Sequence, residues 1–363
     1  MKCSTTTTII ISSLLVIFFS YIGYSIMNIL HNNPPPENIP KLSCQKIFSS
    51  LPMEDFVKID DNTIIASGAN IKDLYFDFSI YNPGYQLEQG GLFLLDLKEK
   101  KFKNSELKNF PKNLNFFPHG MELYKDKYIY VINHGLNSID GERFEIFEII
   151  KEKNDVKYLN YIKSIKLPEE FISSTNGLAV AGEDDIFFTK SFPINPPAID
   201  NYNFFTKRIP FWFFVFNCIL NLKMSHLYHY KNGEIKKVGN SQSSFNNGVT
   251  YDPFNKLIFL AQSTDSNVRV FKYKDNGDIK FIRDIYLGYK MDNVIFDVKT
   301  RILSVGIMGL GGYGGLAEIY PDKNFEVKIP FYDIIELNLS SAMKINDKIL
   351  IALPWAKYLL FCE

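Results

Sequence analysis

The sequence has no excess charge of either sign, which narrows the classes of partner. Its 40 basic and 40 acidic side chains give a formal net charge of zero. Nucleic-acid-binding domains carry a surplus of basic residues, so we expect no nucleic-acid partner. The same balance argues against a domain that holds an anionic membrane by charge alone.

Cysteine is scarce, at four residues in 363, and its placement is informative. Cys44 opens the region that we expect to fold, and Cys362 is the penultimate residue. A disulfide between them would join the two ends of the domain and would imply an oxidising compartment. Cys218 lies in an apolar run, which favours a buried thiol over a nucleophile. A glycosylation sequon at Asn338 (Asn-Leu-Ser) is compatible with secretion.

No linker interrupts the chain after residue 43, so we predict one domain over residues 44–363. Residues 9–30 are 22 residues without a charge, and about 20 apolar residues suffice to cross a bilayer. No small-x-small cleavage site follows them, which favours an uncleaved signal-anchor over residues 1–31 rather than a removed signal peptide. Residues 32–43, with three consecutive prolines, are interpreted as a stiff linker. We therefore expect a protein of the secretory pathway, membrane-anchored or secreted with this segment retained.

A sequence repeat, here called a phrase, recurs at intervals of 45 to 71 residues. Each phrase consists of one or two polar residues, a short apolar strand, a turn and a second apolar strand. Recurring short strands and turns at such intervals are typical of a β-propeller. The phrases predict an all-β fold with six blades. They open near Glu54, His119, Asn176, Asn247, Asp292 and Ser341.

The polar residues that open the phrases form a candidate metal site. The innermost strand of each blade runs along the central channel, so these residues are expected to face one axial point. Carboxylate and amide oxygens are the ligands that calcium prefers, whereas zinc prefers nitrogen and sulfur. The alternative is that Asn, Asp and Gly are only turn residues at blade entrances. The candidate set is Glu54, Asp55, His119, Asn176, Asn247, Asp292 and Asn293.

Two histidines could give such a site its chemistry. His119 opens a phrase, and His134 ends the following strand, so both imidazoles are predicted to stand beside the ion. Histidine exchanges protons near neutral pH, which suits a general base.

An aromatic segment at 204–222 separates two phrases and has no place in the sheets. It is interpreted either as a lid over one channel mouth or as a buried packing helix. Lys207 and Arg208 beside Trp212 would also suit a helix at a lipid surface. The glycine-rich run at 309–315 lacks the Lys-Ser/Thr of a phosphate loop and is predicted to be a loop at a channel mouth.

Taken together, the motifs resemble the paraoxonase/arylesterase family, in family order and over nearly the whole chain. They are Glu54-Asp55, Phe-Pro-His-Gly at 117–120, Val-Ile-Asn-His at 131–134, Asn176, Phe-Asn-Asn-Gly at 245–248, Met-Asp-Asn at 291–293 and Cys362. The resemblance implies a six-bladed propeller with two calcium ions and the hydrolysis of lactones and aryl esters. A small apolar ester or lactone is the expected substrate.

The resemblance also implies a role for each matching residue. The catalytic calcium would be held by Glu54, Asn176, Asn247, Asp292 and Asn293. The structural calcium would use Asp55 and the backbone carbonyl of Met121. His119 and His134 would correspond to the proposed base and its partner.

Three departures from the family pattern stand out. Gly177 stands where the family usually places an Asp ligand, which puts the structural calcium in doubt. Ser191 and Phe192 replace an Asp-His pair, which bears on substrate range. Ile307 lies near the position of a free cysteine that is not a ligand.

Two other functions stay open on the sequence. A membrane-tethered, non-enzymatic calcium-binding propeller is favoured by the departures at Gly177 and at Ser191 and Phe192. A propeller similar to strictosidine synthase would not need the full set of acidic and amide ligands.

Overall fold

The structure, a computed structural model, describes residues 20–23, 27, 36–37, 39–70, 88–135, 140–153, 155–194, 204–335 and 338–363. Most of the predicted signal-anchor over 1–31 and part of the linker over 32–43 lie outside these residues. Within the described part of the chain, no helix is long and apolar enough to cross a bilayer.

The described strands form six sheets arranged as the blades of a propeller, so the prediction of six blades is confirmed. Each predicted phrase supplies the first two strands of a blade, and the innermost strand begins at its polar residues. Blade 6 takes its outermost strand, β1 (Cys44–Phe48), from the start of the chain. Blade 1 consists of β2 (Met53–Lys58), β3 (Thr63–Gly68), β4 (Gly91–Asp96) and β5 (Lys101–Asn104). Blade 2 consists of β6 (Leu107–Lys108), β7 (Pro118–Tyr124), β8 (Tyr128–Asn133), β9 (Arg143–Glu152) and β10 (Asp155–Lys166). All neighbouring strands of the described ring pair antiparallel except β6, which pairs parallel with β10.

The second half of the ring repeats this plan. Blade 3 consists of β11 (Thr175–Gly182), β12 (Asp185–Lys190), β13 (His226–Lys231) and β14 (Glu234–Lys237), with helix α1 (Phe204–Ile219) inserted before β13. Blade 4 consists of β15 (Asn246–Asp252), β16 (Leu257–Gln262), β17 (Asn267–Tyr273) and β18 (Ile279–Tyr286). Blade 5 consists of β19 (Lys290–Asp297), β20 (Ile302–Met308), β21 (Tyr313–Tyr320) and β22 (Glu326–Ile334). Blade 6 consists of β23 (Ala342–Ile345), β24 (Lys348–Ile351), β25 (Tyr358–Cys362) and β1.

The core consists of apolar layers between neighbouring blades rather than one central cluster. Blades 4 and 5, for example, share a layer that contains Phe259 and Val294, and an equivalent layer separates every neighbouring pair in the described ring. Burial of these faces stabilises the ring at about 25 cal/mol per Å² of apolar surface. The axis itself is therefore left to the polar ends of the inner strands.

The ring closes where the two ends of the domain meet. Strand β1 pairs antiparallel with β25, and Cys44 lies opposite Cys362 in the register. These two cysteines form a disulfide across a sequence separation of 318, which confirms the predicted pairing. Cys218 is a free thiol, as expected, and burial raises its pKa to about 12, so it is protonated at neutral pH.

Replacing Cys44 with Ser should lower the free energy of unfolding by about 2–5 kcal/mol, because the bridge restricts the unfolded chain and anchors the closing strand. It should also leave Cys362 open to alkylation. Denaturant unfolding and thiol labelling measure both effects, and Cys218→Ser is the matched control with little expected change. Alkylation of both Cys44 and Cys362 in the native wild-type protein would contradict the prediction.

Candidate functional site

Irregular pairing at the start of five inner strands turns the candidate residues toward the channel. In each case the inner strand has one more residue than the neighbouring strand that it pairs with, which is the geometry of a β-bulge. Bulges re-aim side chains and are common beside active sites. The residues within the five irregularities are Glu54, His119 with Gly120, Asn176 with Gly177, Asn247 with Gly248, and Asp292 with Asn293.

Glycines in three of these bulges allow neighbouring blades to approach closely. A Cβ on Gly120 would lie 2.2 Å from the carbonyl oxygen of Asn176, in the next blade. A Cβ on Gly177 would lie 2.8 Å from Cα of Gly248, and one on Gly248 would lie 2.6 Å from Cα of Asn293. The repeated polar-Gly pair therefore brings the backbones of successive blades together around the axis.

Contacts between side chains show that the predicted residues converge. Nε2 of His119 lies 3.5 Å from Oε1 of Glu54, and Nδ2 of Asn293 donates to the same oxygen at 3.4 Å. Asn247 hydrogen bonds to the carboxyl group of Asp292, which in turn lies near Glu54. Thus blades 1, 2, 4 and 5 contribute to one buried polar cluster, and Asn176 occupies the equivalent position in blade 3.

Three carboxyl groups belong to this cluster, and burial together with mutual repulsion disfavours their ionised forms. Burial, followed by the charges of Asp292 and Asp55, raises the pKa of Glu54 well above its usual range. Burial and the charge of Asp55 likewise raise the pKa of Asp292. Burial raises the pKa of Asp55 to about 6, although three hydrogen bonds oppose the shift. A cation at this point would stabilise the ionised carboxylates.

Oxygen atoms in the cluster also have unused acceptor capacity. Among the described residues, Oδ1 of Asn176, Asn247 and Asp292 are buried and have no hydrogen-bond partner. Buried polar atoms are normally paired, so these three oxygens need an explanation. In the same described part, no three His, Cys, Asp or Glu side chains form a metal-binding group, so an ion here would depend on the amide oxygens as well. Amide and carboxylate oxygens together fit the preferences of calcium.

His119 is held beside a second histidine, as the sequence predicted. The rings of His119 and His134 lie 4.8 Å apart in an edge-to-face arrangement, and both are buried. Burial and, secondly, His134 lower the pKa of His119 well below its usual value. His119 is therefore neutral near pH 7 and can accept a proton.

Glu142 completes the group, and the sequence reasoning missed it. Its Oε1 lies 2.8 Å from Nδ1 of His134, and its other contacts are with backbone N–H groups and the hydroxyl of Thr175. Pairing of Asn133 with Arg143 places Glu142 opposite His134 at the edge of β8 and β9. The signal available in the sequence was a glutamate directly before an apolar strand. The register of the two strands across the loop, which sets the partner of Glu142, does not follow from the sequence.

The residues expected around a second calcium have a different arrangement. The carboxylate of Asp55 accepts hydrogen bonds from N–H of Phe56 at 2.9 Å, N–H of Met121 at 3.0 Å and Oγ of Ser341 at 2.7 Å. Met121 thus points its backbone N–H at Asp55, whereas a calcium ligand at this position would present its carbonyl oxygen. An aspartate in place of Gly177 would need the backbone of blade 4 to move, since even a Cβ is too close. Asp55 ties blade 1 to its two neighbours through these bonds.

Helix α1 lies at the channel mouth where the ligand residues are. Nδ2 of Asn217 donates to the carbonyl oxygen of Ser244, and Phe214 packs at 5.0 Å from both Phe192 and Phe245. Ser191 donates to the carbonyl oxygen of Asn246 at 3.0 Å, so the pair at 191 and 192 supports blade 4 and the helix. The side chains of Lys207 and Arg208 lie outside the described residues. The helix covers blade 4 with one face and exposes Ile209, Trp212 and Phe216, each more than half accessible.

Comparisons with known structures agree with the propeller fold. The allergen Mala s 1 of Malassezia sympodialis superposes with a TM-score of 0.53 at 9% identity, over 88% of this chain and 96% of that one. A structural genomics protein of unknown function from Bacteroides thetaiotaomicron gives 0.51 at 10% identity, over 89% and 72% of the two chains. At these identities the likeness concerns the fold alone.

Sequence comparisons indicate the family. Human serum paraoxonase/lactonase 3 is 29% identical over 226 residues, which are 60% of this chain and 57% of the human protein. Serum paraoxonase/arylesterase 2 of Gallus gallus is 28% identical over 224 residues, or 60% and 56% of the two chains. The matched region thus spans little more than half the length of these relatives. The arylesterase family model matches residues 81–309, more than half of the chain. The chain belongs to the arylesterase family.

Proposed function

We propose that the protein is a calcium-dependent carboxylic ester hydrolase that acts on lactones and aryl esters. The observation that carries the proposal is the buried cluster at the channel mouth, where unpartnered amide and carboxylate oxygens lie beside the His119 and His134 pair. The names of its relatives include paraoxonase, lactonase and arylesterase, which supports the same class of reaction.

The ion would be held by Glu54, Asn176, Asn247, Asp292 and Asn293. A bound calcium would act as a Lewis acid toward the substrate carbonyl oxygen, an effect worth several kcal/mol. The three protein donors on Asp55 and the glycine at 177 support one ion rather than two at the axis.

The protein's own residues would handle the proton and the substrate. Neutral His119 would accept a proton from the attacking water. Glu142 holds Nδ1 of His134 and so fixes the orientation of that ring beside His119. Glu54, 3.5 Å from His119, is the second candidate base. The aromatic residues Phe192 and Phe214 beside the mouth favour apolar acyl or aryl groups.

The direct test is hydrolysis of phenyl acetate and of a δ-lactone by the purified protein, with and without calcium chelation. We expect both reactions to occur, to stop after chelation and to resume on addition of calcium. Activity that survived rigorous calcium removal would rule out the metal mechanism. Calcium binding without hydrolysis of either substrate would favour the non-enzymatic propeller instead.

Replacing Glu142 with Gln should lower kcat by about 10- to 100-fold with little change in KM, because His134 loses its orienting carboxylate while the pocket shape is kept. The acidic limb of the pH profile should shift as well, which a merely structural role would not cause. Steady-state kinetics across pH measure both effects. Glu145→Gln is the matched control, since Glu145 is a buried carboxyl that bonds Asn133 rather than a histidine. An unchanged kcat and pH profile would remove Glu142 from the positioning group.

We also propose that helix α1 and the N-terminal segment meet a membrane or lipid surface. The exposed Ile209, Trp212 and Phe216 form an apolar strip on α1. The hydroxyl of Tyr21, in the described part of the N-terminal segment, donates to the carbonyl oxygen of Leu220 at 2.8 Å. This bond supports a common surface for the two segments. Asn338 is exposed, as a glycosylation site in the secretory pathway requires, and the disulfide supports the same compartment.

A further inference from the structure

The central channel widens into a cavity at the mouth opposite the candidate site. The ligand residues lie at the first positions of the inner strands, whereas the cavity of about 400 Å³ is surrounded by the last positions of the same strands. Val57 of blade 1, for instance, lies three residues beyond Glu54, roughly 10 Å along an extended strand. The two mouths therefore offer separate sites.

The wall of this cavity is mainly apolar. Its lining includes Val57, Leu123, Val180, Phe254 and Ile295, which come from five different blades. Pockets for small molecules have volumes of about 300–1,000 Å³, mostly apolar walls and few polar anchors. The volume and lining both match that description.

Glu122 supplies the polar anchor. It lines the cavity, and its two carboxyl oxygens share a single described donor, Oγ1 of Thr250, at 3.2 and 3.3 Å. A carboxyl group can accept several hydrogen bonds, so acceptor capacity is left over. Burial raises the pKa of Glu122 well above its usual range, and the charge of Asp55 adds to that shift. Of the lysines that line the cavity, Lys58 is already paired with Asp61 and Asp297, whereas Lys125 and Lys299 are exposed to solvent.

We propose that the cavity is a second small-molecule site, independent of the hydrolase site, for a neutral apolar compound whose hydroxyl or amide N–H donates to Glu122. The ligand body would fill the apolar wall, and its donor group would reach the oxygens that Thr250 leaves available. An anionic amphiphile with the same body should bind more weakly, because its charge would have to leave water for a mainly apolar cavity.

The test compares 1-octanol with octanoate by titration calorimetry on the full chain with calcium bound. We expect octanol to bind and octanoate, which has a tail of the same length, to bind at least tenfold more weakly. Ala181→Phe, which fills the cavity from its wall, should weaken octanol binding at least tenfold and leave hydrolysis of phenyl acetate unchanged, if the protein has that activity. This variant assigns octanol binding to the cavity rather than to the other mouth of the channel.

Glu122→Leu removes the acceptor at similar size and should weaken octanol binding by tenfold or more. Glu318→Leu is the control, because Glu318 is a buried carboxyl outside the cavity that accepts from Tyr320. If Ala181→Phe does not fold, the comparison of the two glutamate variants decides. No octanol binding to the wild type, equal binding of octanoate, or unchanged binding in both Ala181→Phe and Glu122→Leu would overturn the proposal. None of these outcomes depends on whether the protein hydrolyses esters.

Discussion

Replacing His119 with Gln should lower the turnover of phenyl acetate and of a δ-lactone by about 10²–10⁴, the usual contribution of a general base. Glutamine keeps a polar side chain of similar size but cannot accept and release a proton near pH 7. None of the five proposed ion ligands is changed, so the melting temperature and its dependence on calcium should stay close to those of the wild type. Steady-state kinetics and thermal unfolding with and without calcium give the two readouts.

The control for this variant is a histidine outside the cluster. His226 lies in β13 of blade 3, and His226→Gln should leave turnover near the wild-type level. If His119→Gln retained full turnover on both substrates, His119 would only line the channel and Glu54 would become the leading base. A loss of turnover together with calcium-dependent stability would instead show that His119 supports the ion site.

The arrangement of the blades could be predicted because the signal repeats. A polar opening and two apolar strands recur with enough regularity to indicate the number of blades and the inner strand of each. The positions of His119, Asn176 and Asn247 at the axis followed from that repeat. In blades 2, 3 and 4 the polar opening is followed by a glycine, because only a residue without a Cβ tolerates the backbone of the next blade at 2.2–2.8 Å.

The parts that could not be predicted depend on register and on contacts between distant segments. The five bulges add one residue each, and no local sequence pattern distinguishes a bulge from regular pairing. The position of Glu142 opposite His134 depends on how β8 and β9 pair across a loop. The run at 309–315 was predicted to be a loop, yet Gly314 and Gly315 belong to β21, where a Cβ on Gly315 would lie 2.1 Å from the carbonyl oxygen of Phe331. Glycine is common in loops, but at these two positions it allows neighbouring strands to pack closely.

The insert at 204–222 shows the same limit. Its aromatic content left a lid and a packing helix open as alternatives, and helix α1 has one packed face, with Phe214, and one exposed face, with Trp212. Composition alone could not separate the two faces, because both are apolar. Contacts of Asn217 with the start of blade 4 fix which face is covered.

Asp292→Asn should abolish calcium-dependent hydrolysis and most of the stabilisation by calcium, and yet make the calcium-free protein more stable than the wild type. The substitution removes one of three buried carboxyl groups, and with it a charge that raises the pKa of Glu54, so the calcium-free cluster has less unfavourable charge to bury. In the wild type, calcium at about 100 times its dissociation constant should add roughly 2.7 kcal/mol. Asn247→Ala is the matched comparison, because it removes a neutral ligand oxygen. It should lose the calcium effect without any gain in the calcium-free state.

The pH dependence of unfolding separates this explanation from a general packing effect. The folded-state pKa of Asp292 lies above its unfolded value, so without calcium its carboxyl group keeps a proton in the folded state that it loses on unfolding. That contribution to stability is complete below about pH 4 and declines as pH rises through the folded pKa, at up to about 1.4 kcal/mol per pH unit for each such group. Denaturant unfolding in chelator from pH 5 to 8 should therefore show falling stability in the wild type and a shallower fall in Asp292→Asn. Calcium should flatten the wild-type curve, because the bound ion favours the ionised carboxylates. Parallel pH curves for the two proteins in chelator would show that Asp292 is not part of a strained carboxyl cluster, and the proposed ion site would lose its electrostatic basis.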